Sequence, residues 1–316
     1  MIQDIAPHIF HNPFDLRREI RDDDTVYCFE GEKALVIEHD GEVSLPSCAK
    51  MRGTFGEELE FTYLFSIDEH GYYLCRTQIA EHEKIVWENP ENRAYGGPDE
   101  LDGTGDGEET WSFRAIRDLR IRLAANKEQV FATFTARQLG RWYTDNTFCG
   151  TCGSRTELYD KERAIRCPSC GRIIYPRIIP AVIIGVTNGD EILLTRYNRK
   201  GAKYNALVAG FTEIGETLEE NVQREVMEEV GLKVKNIRYY KSQPWGIVDD
   251  LLVGFYCDVD GDPAIRLDGN ELKQAVWTKR EDVELQPDDY SLTNEMMRIF
   301  RDGKLPHSFR LSTSGV

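Results

Sequence analysis

The stretch at residues 210–232, GFTEIGETLEENVQREVMEEVGL, decides how the rest of the chain is read. Thr217 followed by Glu220 fits a capping box, and Gly231 sits where a helix would end in a left-handed residue. The second half of the stretch is therefore expected to be a helix with both ends marked. Leu218, Val222, Val226 and Val230 recur every four residues and would face a core. Beside that stripe, Glu225, Glu228 and Glu229 fall at i, i+3 and i+4, on one flank of the helix. Carboxylates gathered there repel one another. A solvated acidic face is the ordinary reading of a Glu-rich helix, but it demands no particular order of Gly, Arg and Glu. A divalent cation would relieve the repulsion, and hard oxygen ligands suit Mg2+ or Mn2+, ions that also bind substrate phosphates.

Gly210, five residues, Glu216, seven residues and then Arg224-Glu225-Val226-Met227-Glu228-Glu229-Val230-Gly231-Leu232 match every fixed position of the Nudix box of diphosphate hydrolases. The resemblance implies a loop-helix-loop in which Glu225, Glu228 and Glu229 hold catalytic metal ions. It also implies that Arg224 pairs with an acid such as Glu216 to brace the loop, with Gly210 and Gly231 as fixed backbone points.

Around this centre, 316 residues suggest two or three domains, and 41% apolar content is enough for proper cores. The start of the chain lacks a basic segment followed by an apolar core, and the longest apolar stretch, residues 178–186, is short and contains Pro180. The expectation is a cytoplasmic protein with no membrane association. A formal charge of -16 disfavours a general nucleic-acid surface. Residues 1–145 read as a β-rich domain, with strands expected at 25–29, 34–37, 61–65 and 72–75, a long acidic loop at 96–109 and helical spacing at 128–143. Cys28, Cys48 and Cys75 read as small buried residues.

Cys149-Gly-Thr-Cys152, fourteen residues and Cys167-Pro-Ser-Cys170 form two knuckles at zinc-ribbon spacing. Four thiolates leave no open position for water, so the expected metal is structural Zn2+, with a redox pair or an iron–sulfur centre as the alternatives. Trp142, the first knuckle preceded by Phe148, the second knuckle and then Tyr175-Pro176-Arg177 together resemble the bacterial NADH pyrophosphatase family over residues 130–300. That resemblance implies a homodimer and places Tyr175 near a bound base. It also makes Phe211, reached through Ala209, a stacking surface, and makes Glu271 a fourth metal-binding carboxylate. The expected architecture is α+β and multidomain: a β-rich domain at 1–145, a four-cysteine zinc ribbon at 146–176, a Nudix α/β/α sandwich at 177–303 and a tail at 304–316.

After the ribbon, residues 179–186 and 191–196 predict a hairpin around Asn188-Gly189. Arg196, Arg199, Lys200 and Lys203 then concentrate positive charge, either to attract phosphates or as an ordinary solvated loop. Strands are expected at 236–241 and 251–257, with Ser242-Gln243-Pro244-Trp245 between them, and a helix at 291–302 with Leu292, Met296 and Ile299 inward. The signature associated with NADH pyrophosphatases continues after SQPW with Pro-Phe-Pro, a variable residue and Ser. This chain has Gly246-Ile247-Val248-Asp249-Asp250 instead. Gln243 and Trp245 are expected at the substrate, and the departure leaves the reaction class intact while opening the choice of substrate. Three readings follow. One is a hydrolase of NADH or NAD yielding (reduced) nicotinamide mononucleotide and AMP. Another is a hydrolase of a different nucleoside diphosphate derivative, such as an ADP-sugar, a nucleotide cofactor or an NAD-capped RNA end. The third is a catalytically silent nucleotide sensor, against which the whole set of box carboxylates argues.

Overall fold

The computed structural model describes residues 1–86, 109–198, 204–267 and 272–305. Nearly all of the expected acidic loop, together with Arg199, Lys200, Lys203, Glu271 and residues 306–316, lies outside the described residues. The chain divides into two compact units: residues 1–3, 178–245 and 249–316 form one, and residues 4–177 with 246–248 form the other.

The unit containing residues 4–177 is β-rich. One sheet orders Phe10–His11, Phe61–Ile67, His70–Cys75 and Thr25–Tyr27; a second is built on Lys33–His39 and Thr110–Ala115. Val26, Leu35, Met51, Tyr63, Tyr73 and Phe113 form its core with Cys28, Cys48 and Cys75, all three buried free thiols, as their small apolar character predicts. Val130, Phe134, Leu139 and Trp142 lie on the buried face of the helix Lys127–Asp145. The ribbon adds three short antiparallel strands, Glu157–Leu158, Ile165–Arg166 and Ile173–Ile174. Gly246 belongs to this unit by its contacts: a Cβ there would stand 2.3 Å from the carbonyl oxygen of Phe134. The departure from the SQPW signature thus begins at a position where the backbone of another element leaves no room for a side chain.

The other unit is a six-stranded mixed sheet between two helices. Its path runs Val234–Trp245, Asp250–Val259, Ile179–Asn188, Glu191–Tyr197 and Leu272–Lys279, and Val208–Phe211 pairs antiparallel with Ile179–Asn188. The hairpin expected at Asn188-Gly189 is present, with Gly189 at φ 62°. Side-chain alternation sorts the sheet into two faces. Val182, Ile184, Val253 and Phe255 pack on the box helix, Leu218–Val230, through Val222, Val226 and Val230. Ala181, Ile183, Leu252 and Tyr256 pack on the helix Leu292–Arg301 through Leu292, Met296, Met297 and Phe300. Ile299, expected inward, is only partly covered, because Met297 and Phe300 complete that face. The SQPW stretch is not a connection between strands: it is the end of the strand Val234–Trp245, where an edge position tolerates Pro244.

Candidate active site

Local chemistry fixes the box helix at both ends. Thr217 Oγ1 accepts from Glu220 N at 3.2 Å while Glu220 Oε2 accepts from Thr217 N at 2.8 Å, and Gly231 closes the helix at φ 69°. Asn221, fully buried, donates from Nδ2 to Thr212 Oγ1 at 2.8 Å and so ties the first helical turn to the loop that enters it.

Arg224 is the hub. Its guanidinium grips Glu216 in a forked pair, Nε to Oε1 at 2.8 Å and Nη2 to Oε2 at 3.0 Å. Nη2 also donates to the Phe211 carbonyl at 2.9 Å and to Asn221 Oδ1 at 3.0 Å. Through one side chain, strand end, loop and helix are held in register. Arg224, aided by the backbone N–H of Glu213, holds Glu216 below the usual carboxylate range. Nη1 reaches further, to Glu225 Oε1 at 2.7 Å and Glu228 Oε2 at 3.0 Å. The sequence reading missed these two contacts, although the i,i+4 spacing of Arg224 and Glu228 signals one of them.

The three box carboxylates occupy different environments. Glu225 lies over the strand end so closely that a Cβ on Gly210 would sit 1.9 Å from its Cδ, which is why that position must be glycine. Glu229 is 4% exposed, whereas Glu228 is 60% exposed at its side chain. An all-oxygen donor set of this kind fits a hard divalent cation. Among the described residues, only the ribbon thiols bring three or more potential ligand atoms within 4.8 Å of one another. Arg224 instead bridges Glu225 and Glu228, neutralising part of the charge that clustering creates.

The residues expected at the substrate divide. Phe211 is 53% exposed at the end of Val208–Phe211, with Ala209 partly buried two positions before it. Trp245 is half-buried against the cluster on the Leu292–Arg301 face. Gln243 is different: it is fully buried, donating from Nε2 to the Tyr290 carbonyl at 2.8 Å and to Gln3 Oε1 at 3.0 Å, and accepting at Oε1 from Leu292 N at 2.7 Å. Its amide is occupied inside the fold, fastening the start of a helix, so we remove it from the substrate contacts. Tyr175 belongs to the unit containing the ribbon, where it is exposed and donates to Glu162 Oε1 at 2.9 Å.

In the ribbon, Cys149 and Cys170 sulfurs are 3.7 Å apart and those of Cys152 and Cys167 are 3.5 Å apart, with all four within 4.8 Å. Zn–S bonds of about 2.3 Å at tetrahedral angles require S···S separations of about 3.8 Å. Thr151 N points at Cys149 Sγ from 3.4 Å, and the Ser154 backbone and hydroxyl lower the Cys152 thiol to about 6. Both favour the thiolate that zinc needs, whereas Cys170, despite the Arg172 backbone N–H, is pushed up to about 11 by burial and the neighbouring sulfurs, so zinc binding would displace its proton. The ribbon is a structural Zn2+ site.

Comparison with known proteins agrees with this geometry. The model of the NUDIX domain matches residues 177–298, and that of the NADH pyrophosphatase zinc ribbon domain matches residues 145–175. A protein of Shigella boydii named NAD-capped RNA hydrolase NudC is 33% identical over 233 residues, covering 69% of this chain and 88% of the relative. A protein of the same name from Enterobacter is 33% identical over 223 residues, covering 66% and 86%. A solved Nudix hydrolase from Nitrosomonas europaea, 21% identical, covers 49% of this chain and 90% of its own, with a TM-score of 0.43. Fold and box define the class, a Nudix pyrophosphohydrolase. Within it, the chain belongs to the Nudix hydrolases that carry an NADH pyrophosphatase zinc ribbon.

Proposed function

We propose that the chain hydrolyses the pyrophosphate bond of NADH or NAD, releasing reduced or oxidised nicotinamide mononucleotide and AMP. The observation that carries this reading is the Arg224-braced box, with Glu225, Glu228 and Glu229 on one helix flank beside Gly210, in a chain that also holds four thiols at ribbon spacing. Glu225, Glu228 and Glu229, with Glu271, are the residues that would hold Mg2+ or Mn2+. When bound, the metal supplies charge neutralisation at the two phosphates, an oriented and acidified water, and stabilisation of the leaving oxygen. Glu228, exposed, exchanges its Arg224 contact for this role at little cost. Arg224 stays on Glu216 and keeps the loop in place. One of the carboxylates takes the proton of the attacking water. Phe211 and Trp245 contact the bases, with Phe211 offering a stacking face. We place the enzyme in the cytoplasm as a homodimer.

A second reading, hydrolysis of the same bond in an NAD-capped RNA end, is favoured by the names of the relatives at 33% identity. Initial rates on NADH, NAD, an NAD-capped oligonucleotide and ADP-sugars decide between them. The first reading predicts the highest kcat/KM for NADH or NAD; a higher value for the capped RNA selects the second, and one for an ADP-sugar overturns both.

A further inference from the structure

Asn221 lies fully buried in the first turn of the box helix, where an amide is a poor helix former and costs free energy unless both its ends are paired. Both ends are paired here: Nδ2 donates to Thr212 Oγ1 at 2.8 Å, and Oδ1 accepts from Arg224 Nη2 at 3.0 Å. A guanidinium offers donors only, so the amide oxygen must be the end that faces it. Thr212 is itself fixed to the sheet, donating from its backbone N to the Pro180 carbonyl at 3.0 Å. One buried side chain thus links the sheet and the entering loop to the guanidinium of Arg224.

The partners of that guanidinium fall on two edges. On one edge, Nε and Nη2 serve Glu216, the Phe211 carbonyl and Asn221 Oδ1. On the other, Nη1 serves Glu225 Oε1 and Glu228 Oε2. Glu225 and Glu228 can each serve Arg224 or a divalent cation, so the guanidinium competes with a metal for them. How strongly it competes depends on how firmly its first edge is held. Phe211 ends a strand and Glu216 stands in the loop, whereas Asn221 is rooted in the same helix as the two carboxylates, at i, i+4 and i+7 with them. Asn221 therefore fixes Nη2 relative to the metal-binding row itself. Being neutral, it does so without adding a charge to that row.

We propose that Asn221 is a positioning residue for the metal site: held by the Thr212 hydroxyl, its amide keeps Arg224 on the loop side and limits the competition of the guanidinium with a divalent cation for Glu225 and Glu228. The inference rests on the reading of these carboxylates as metal ligands. Without the amide, Nη2 loses its helix-bound acceptor, and the guanidinium is free to settle onto the two acids.

The test is the dissociation constant for Mn2+, measured by calorimetric titration of the full chain with its ribbon zinc in place, at a temperature where every variant is folded. Asn221→Leu, close to Asn in shape but without the amide, should weaken Mn2+ binding by about tenfold, the lower end of the effect of groups behind a metal ligand. Thr212→Val should weaken it in the same direction, and Thr212→Ser, which keeps the hydroxyl, should bind as wild type does. The double variant Asn221→Leu with Thr212→Val should lose no more than Asn221→Leu alone, because the two residues act along one path. Val222→Ala, a cavity in the core beside Asn221, should lower the melting temperature and leave the Mn2+ constant unmoved, which separates positioning from general destabilisation. If Asn221→Leu does not fold, the Thr212 pair decides. Mn2+ constants equal to wild type in Asn221→Leu and Thr212→Val, or an equal weakening in Val222→Ala, overturn the role of Asn221 alone. Zinc-loaded wild type that takes up no Mn2+ overturns the metal reading of the box, and the inference falls with it.

Discussion

At the scale of the residue, the box separates groups by what their surroundings permit. Glu229 is nearly fully buried, so Glu229→Gln changes charge with little change in volume. We expect an unaltered melting temperature and a loss of kcat/KM of more than about a hundredfold, since even groups behind a metal ligand are worth about 10- to 100-fold. Unchanged turnover would remove Glu229 from the metal site. Asp250 behaves oppositely in stability. Its folded pKa of about 6 lies above the ordinary 3.8, so the native state binds more protons than the unfolded chain between those values. Stability contributed at this site is greatest below pH 4, falls as pH rises to 6 and stays low above it. Asp250→Asn should therefore stabilise the fold at pH 8 by on the order of 1 kcal/mol and leave it unchanged near pH 4. Equal melting temperatures at pH 8 would contradict this. The box carboxylates were legible in the sequence because a helix places i, i+3 and i+4 together by local geometry alone. Asp250 and Gln243 were not legible in this way. One is a buried acid and the other a buried amide because strands distant in sequence close over them, and no local spacing records that.

At the scale of the element, local signals that act within a few residues were read correctly. The Thr217–Glu220 box, Gly231 and the Asn188-Gly189 turn each depend on backbone geometry inside one turn. Element ends at a sheet edge were less legible: the strand expected at 236–241 runs on to Trp245, so SQPW lies within its end, where an edge strand tolerates Pro244. The glycine that follows has a reason no sequence pattern carries. Because the neighbour of Gly246 is the Phe134 backbone carbonyl, which cannot rotate away, Gly246→Ala should cost about 1–3 kcal/mol, the range for overpacking. Thermal unfolding measures it, and a variant as stable as wild type would show that the helix Lys127–Asp145 yields at that point.

At the scale of the whole molecule, the cysteine spacing specified the ribbon because one tetrahedral ion imposes one ligand geometry, whereas the strand pairing of residues 4–177 reflects contacts between distant segments and was visible only as separate strands. Zinc analysis should find one Zn2+ per chain, and chelation or Cys167→Ser should lower the melting temperature, because a structural zinc contributes folding free energy directly. A metal-free chain of equal stability would refute the structural role. The central claim is that one chain joins this ribbon to a metal-dependent box acting on a dinucleotide pyrophosphate. Its most direct test is chromatographic product analysis of wild-type protein incubated with NADH, with Mg2+ or Mn2+ and again with excess chelator. The account predicts AMP and reduced nicotinamide mononucleotide in equal amounts with the metal and neither without it. Intact NADH under both metals, or cleavage at any bond other than the pyrophosphate, would contradict it.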